Sequence, residues 1–133
     1  MSDKKYHILI RNDIGLIEIR FCGRLEVGDM IACLTELYGM EDFDPTIPTI
    51  YDFRECLAIG YRMEVVPFVK WLGELRSGLG KKKIGVIVDS FNQKFLVKVF
   101  IELAKGLNLE VEMFEDPKKC MSWAMTDFKI KNH

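Results

Sequence analysis

The side chains best suited to chemistry in this sequence are four cysteines, two histidines and three aspartates that each follow an apolar run. Cys22, Cys33, Cys56 and Cys120 show no C-x-x-C spacing and sit among apolar neighbours, which in a reducing compartment suits small buried hydrophobes. Cys56 falls in the segment 55–62, ahead of a helical pattern, where a helix dipole could lower its pKa and make it reactive. No histidine neighbours it, and a half-buried packing role explains it more simply. His7 and His133 are too few to build a zinc site, and no Ser-His-Asp or Cys-His set can be assembled. His7 reads as a packed strand residue. Asp52, Asp89 and Asp116 sit where strands should end, the edge at which open α/β sheets bind ligands, so a magnesium or phosphoacceptor site has to be weighed. Capping of the helices that follow accounts for Asp89 and Asp116 without any ligand. An enzyme would have to draw its acid–base chemistry from carboxylates or Tyr61 alone. The expectation is a protein that is not an enzyme and carries no cofactor.

The elements that would position these residues follow from periodicity. Residues 5–11 and 16–22 read as strands. In the second, Ile17, Ile19 and Phe21 alternate with Glu18 and Arg20, and Asn12-Asp13-Ile14-Gly15 supplies turn chemistry for an antiparallel hairpin. After Gly23, a helix over 26–39 is marked by Val27, Met30, Ile31, Leu34, Leu37 and Tyr38 at three- and four-residue intervals. A third strand over 48–53 precedes a helix over 63–78, whose start is set so that Pro67 falls in the first turn, where its missing N–H bonds nothing. The continuous apolar run 84–88 suits a central parallel strand. Ser90 with Gln93 forms a capping box for a helix over 91–106. A strand over 110–114 follows, and Asp116-Pro117 starts a short last helix carrying Cys120, Met121, Trp123 and Ala124. The tail 125–133 is expected to fray. The order β-β-α-β-α-β-α-β-α predicts one α/β domain over 1–133, an open mixed sheet covered by helices.

Composition narrows the partners. The chain has 133 residues, 49% hydrophobic and 29% charged, with a net charge of −1, which is an ordinary globular balance for one domain. So neutral a chain is a poor match for a phosphate backbone, so no nucleic acid is expected. A local basic patch could still exist, and Lys81-Lys82-Lys83 is the one run of three like charges. No stretch approaches the roughly 18 apolar residues of a membrane span, and the N-terminus lacks a signal-peptide core, so a cytoplasmic location is expected.

Lys83-Ile84-Gly85-Val86-Ile87-Val88-Asp89, the following helix with Phe100, the strand Glu110-Val111-Glu112-Met113-Phe114 and the closing Cys120 to Trp123-Ala124 together have a family likeness. With Leu25 after Gly23-Arg24 and the strand ending Tyr51-Asp52-Phe53-Arg54, the chain resembles the SpoIIAA-like proteins of the STAS superfamily (sulfate transporter and anti-sigma-factor antagonist). The resemblance spans residues 5 to 125. It implies a small binding or regulatory module without catalytic residues. In the partner-switching branch a serine or threonine at the start of the second helix is phosphorylated. The matching segment here, 55–62, contains neither, which points instead to the branch associated with apolar ligands or membrane surfaces.

The third helix is more apolar than its place over a sheet requires. Val97, Ile101 and Ala104 widen its apolar arc to roughly 200°, more than a one-sided helix needs, and Phe91 and Phe95 lie on another side beside Lys94 and Lys98. Packing of the second helix against the third explains part of this arc. The rest predicts a site for an apolar or amphipathic small ligand or a peripheral membrane surface, formed by Cys56, Ile59, Tyr61, Arg62, Phe91, Lys94 and Phe95. The alternative is a protein-interaction regulator resembling an anti-sigma-factor antagonist without the phosphorylatable residue. The same apolar surface would suit a homodimer closing on a two-fold axis.

Overall fold

The alternation of apolar residues on the first two strands dictates how they pair. In the computed structural model, which describes residues 4–59 and 62–126, β1 (Tyr6–Arg11) and β2 (Leu16–Leu25) form the expected antiparallel hairpin, with Ile8 opposite Ile19 and Ile10 opposite Ile17. Gly15 completes the turn at φ +66°, a conformation that favours glycine. The chain continues as α1 (Val27–Tyr38), β3 (Thr49–Ile59), α2 (Arg62–Leu75), β4 (Lys82–Ile87), α3 (Phe91–Leu103), β5 (Leu109–Phe114) and α4 (Pro117–Ala124).

The strands lie in the order β1-β2-β3-β4-β5, with β2 to β5 parallel. Every crossover steps the same way across the sheet, and right-handed crossovers that all step the same way place their helices on one face. The larger core accordingly holds Ile17, Ile19, Phe21, Tyr51, Phe53, Ile84 and Val86 beneath α1, α2 and α3. Among the described residues the opposite face is packed only by α4, which brings Cys120 and Ala124 onto Leu16, Ile50 and Ile87.

Several boundaries differ from the sequence reading. The third strand, expected to stop at 53, runs on to Ile59, and β2 lengthens with it to Leu25. The two extensions pair Cys22 with Glu55, Arg24 with Ala58 and Leu25 with Ile59. Gly23, at φ +71° and flanked by a register shift, bulges the strand where a helix approach was expected. Both α2 and α3 end earlier than expected, and α2 begins at Arg62, which places Pro67 in its second turn rather than its first. The tail expected to fray from 125 is held at its start: Met125 N–H donates to Met121 O at 3.1 Å and Thr126 N–H to Trp123 O at 3.2 Å. Residues 127–133 lie outside the described residues.

The lysine run is no surface patch. Successive strand residues face opposite ways, so Lys82 enters the α1–α3 side and Lys83 the α4 side. Both are buried, and only Lys81 is exposed.

Candidate functional site

Three helices on one face converge toward the carboxyl ends of the strands, and the space they leave there is the candidate site. Its floor is Tyr51 and Phe53 of β3 with Val86 of β4. One wall is Leu25, where β2 ends, with Glu26, Val27 and Met30 at the start of α1. The facing walls are Val65 and Phe68 of α2 and Leu96, Val97 and Phe100 of α3. The cavity measures about 80 Å³. Among the described residues Glu26 is the one charged residue in its lining, and Tyr51 contributes a phenol in a setting that is otherwise apolar side chain and aromatic ring. Phe68 meets Phe100 at 6.1 Å between ring centroids, which joins α2 to α3 over this space. The carboxyl edge of a parallel sheet is where α/β domains bind their ligands, so position and chemistry agree.

A protein-family scan and a search of curated proteins find no match to the sequence. Among solved structures, the chain is similar to an uncharacterized protein of the DUF3478 family from Shewanella loihica PV-4, described as having a SpoIIAA-like fold. The match covers 90% of this chain and 91% of that one, with a TM-score of 0.56 and 19% identity. The fold is SpoIIAA-like. The likeness is one of architecture, and it bears out the resemblance read from the strand and helix order.

Within this SpoIIAA-like frame the expected site residues scatter. Cys56 is on β3 rather than in a loop. It is 9% exposed, within the larger core, and does not line the cavity. Burial, with smaller contributions from Cys22 and nearby acids, pushes its thiol up to about 12, so the reactive-thiol reading fails on physical grounds. Cys33 and Cys120 are likewise pushed up to about 12, chiefly by burial. Ile59 ends β3 and Arg62 begins α2, but their side chains lie outside the described residues, as does Tyr61. Phe91 and Phe95 stand on the outside of α3, 85% and 40% exposed, and Lys94 pairs with Glu115 at 2.7 Å. None of the three lines the cavity, because the inner face of α3 is carried by Leu96, Val97 and Phe100. The sequence pattern did mark Val97, through the widened arc. It marked Val27 and Met30 only as part of the α1 stripe and gave no sign that they, Leu25 or Glu26 would wall a site, because their place there depends on β2 running past the Gly23 bulge.

The three aspartates stay apart. Asp116 caps α4, accepting from Lys118 N–H at 2.9 Å, as expected of it. Asp89 contributes its N–H to the Gln93 side chain at 2.9 Å, while Ser90 Oγ accepts from Gln93 N–H at 3.2 Å. The reciprocal arm of the expected capping box thus lands one residue early. The Gln93 amide also donates to Phe53 O at 2.9 Å, tying α3 to β3 beside the cavity. Asp52 is gripped by Arg54, whose Nη2 lies 2.7 Å from its Oδ2. Burial alone would raise this carboxyl, but the Arg54 hydrogen bonds outweigh burial and hold it below its ordinary value. Among the described residues no group of His, Cys, Asp and Glu could hold a metal ion.

On the opposite face, beside α4, an open trough of about 310 Å³ is bordered by His7, Glu18, Arg20, Asp52 and Arg54. His7 is exposed here rather than packed. The charges pair among themselves, Arg11 with Glu18 at 3.3 Å and Arg20 with Glu55 at 3.6 Å, which reads as a solvated sheet face. No described helix is long and apolar enough to cross a membrane.

Proposed function

We propose that this SpoIIAA-like domain is a non-catalytic binding module that seats a compact apolar group in the cavity between the sheet and α1, α2 and α3. The observation that carries the reading is an unfilled apolar space at the carboxyl edge of a parallel sheet, with aromatic residues in its walls. The non-catalytic part draws support from the high pKa values of the buried thiols and from His7 lying on the other face. Methyl NMR titration with isopentyl alcohol tests the site. Shifts confined to Val97, Leu96, Leu25 and Met30 are expected, and shifts elsewhere or none would refute it. Native mass spectrometry of protein taken directly from cells then asks whether a ligand is carried.

A second reading, docking to a membrane surface, draws on Phe91 and on Val66, which is 59% exposed on α2. Vesicle co-sedimentation that is lost in Phe91→Ser would favour it. The protein-interaction alternative predicts no phosphorylation in residues 55–62 on incubation with a partner-switching kinase.

A further inference from the structure

The chemistry around the cavity mouth limits what the bound molecule can carry at its polar end. Among the described residues no lysine or arginine lines the cavity, and the one charged lining residue is an acid, the exposed Glu26. The N-termini of α1 and α2 both reach this region, and an open helix N-terminus would draw an anion. Each already carries an acid in its first turn, Asp29 on α1 and Glu64 on α2. The Asp29 carboxylate accepts from Glu26 N–H at 2.8 Å, so it already occupies one of the donors an anion would use. Lys5, a cation that reaches α1, is engaged with Asp29 at 3.6 Å and with Arg24 O at 2.6 Å. Tyr51, Phe53, Phe68 and Phe100 add aromatic rings to the walls, and ring faces attract cations and not anions.

We infer that the ligand is a compact apolar group with a neutral or positively charged end, and that Glu26 turns away carboxylate amphiphiles such as fatty acids. This rests on the cavity being the site, as proposed above. It departs from the expected site that included Lys94, which stands outside the cavity in a pair with Glu115.

Three probes that share one branched hydrocarbon and differ at the end test the inference: isopentyl alcohol, isopentylamine and isovalerate, followed by the Val97 and Met30 methyl resonances at neutral pH. Isovalerate should bind at least about fivefold more weakly than isopentylamine, the repulsion of two like charges at a wet surface. Glu26→Gln should bring the two toward parity, and Glu26→Lys should reverse their order. Isovalerate binding as tightly as the amine to the parent protein, or a preference that survives Glu26→Gln, would overturn the inference and leave the cavity standing as a site. If none of the three moves the methyls, the cavity reading itself fails.

Discussion

Two neighbouring lysines show how far a side chain's meaning depends on the face it takes. Lys82 is 1% exposed, with its Nζ 5.1 Å from the Phe43 ring centroid and 5.8 Å from that of Tyr38. It has no hydrogen-bond acceptor among the described residues. Burial first, then the neighbouring Arg76, push it down from 10.5 to about 7, with Asp44 opposing. Above 10.5 the amine is neutral folded or unfolded. As pH falls from there toward 7, the unfolded chain takes up a proton that the folded chain refuses, so this group makes stability decline, levelling off below about 7. Lys82→Met should remove that slope and stabilise the protein below pH 7 by about 2 to 5 kcal/mol. Urea denaturation across the pH series measures this, and superimposable curves for parent and variant would contradict it. Lys83 is the opposite case. Its ammonium donates to Trp123 O at 3.0 Å and Thr126 O at 2.8 Å, and lies 4.8 Å from the Trp123 ring centroid. It therefore closes the C-terminus of α4. Lys83→Met should destabilise by about 2 to 4 kcal/mol in the same assay. A run of three lysines read as a patch because composition carries no face; the period of the strand does.

At the scale of elements, what was legible was local, and what was missed was set by partners. The hairpin turn at 12–15, the stripe of α1 and the Asp116-Pro117 start of α4 depend on residues within one turn of each other. The last six residues of β3 were read as a loop because Arg54-Glu55-Cys56 breaks the apolar pattern, and their strand pairing depends on β2 bulging at Gly23. Gly85 makes the same point for a helix. A Cβ placed on it would lie 2.6 Å from Cys120 Sγ and 3.4 Å from the Trp123 ring, so α4 can lie on β4 only because position 85 has no side chain. The sequence run Ile84 to Val88 announced a buried strand but not which helix would lie on it. Gly85→Ala should cost about 1 to 3 kcal/mol by overpacking. Pairing it with Cys120→Ala, which withdraws the sulfur, should recover part of that loss, so the two changes are non-additive. Additive losses in thermal unfolding would mean that α4 is not seated where the structure places it.

Over the whole molecule, a strand order that rises steadily from β1 to β5 puts three crossover helices on one face, and that asymmetry makes the site. The widened arc of α3 is absorbed there: Val97 and Ala104 are buried, and Ile101 packs on the core. The arc therefore no longer argues for a homodimer, and the apolar residues α3 leaves exposed are Phe91, Phe95 and Leu103. Inward, the packing is incomplete. If this space of about 80 Å³ seats a ligand, as proposed, it serves affinity where closer packing would serve stability. Filling it should separate the two quantities. Val97→Leu adds one methylene from the α3 wall and is expected to raise the unfolding free energy by about 0.5 to 1 kcal/mol while weakening isopentyl alcohol binding. Denaturant unfolding and methyl NMR on the same sample provide both readings. A variant that gains stability and loses affinity fits a binding cavity. A variant that loses stability would show that the space is already taken up by the motion of its walls, and one that gains stability with affinity unchanged would place the ligand elsewhere.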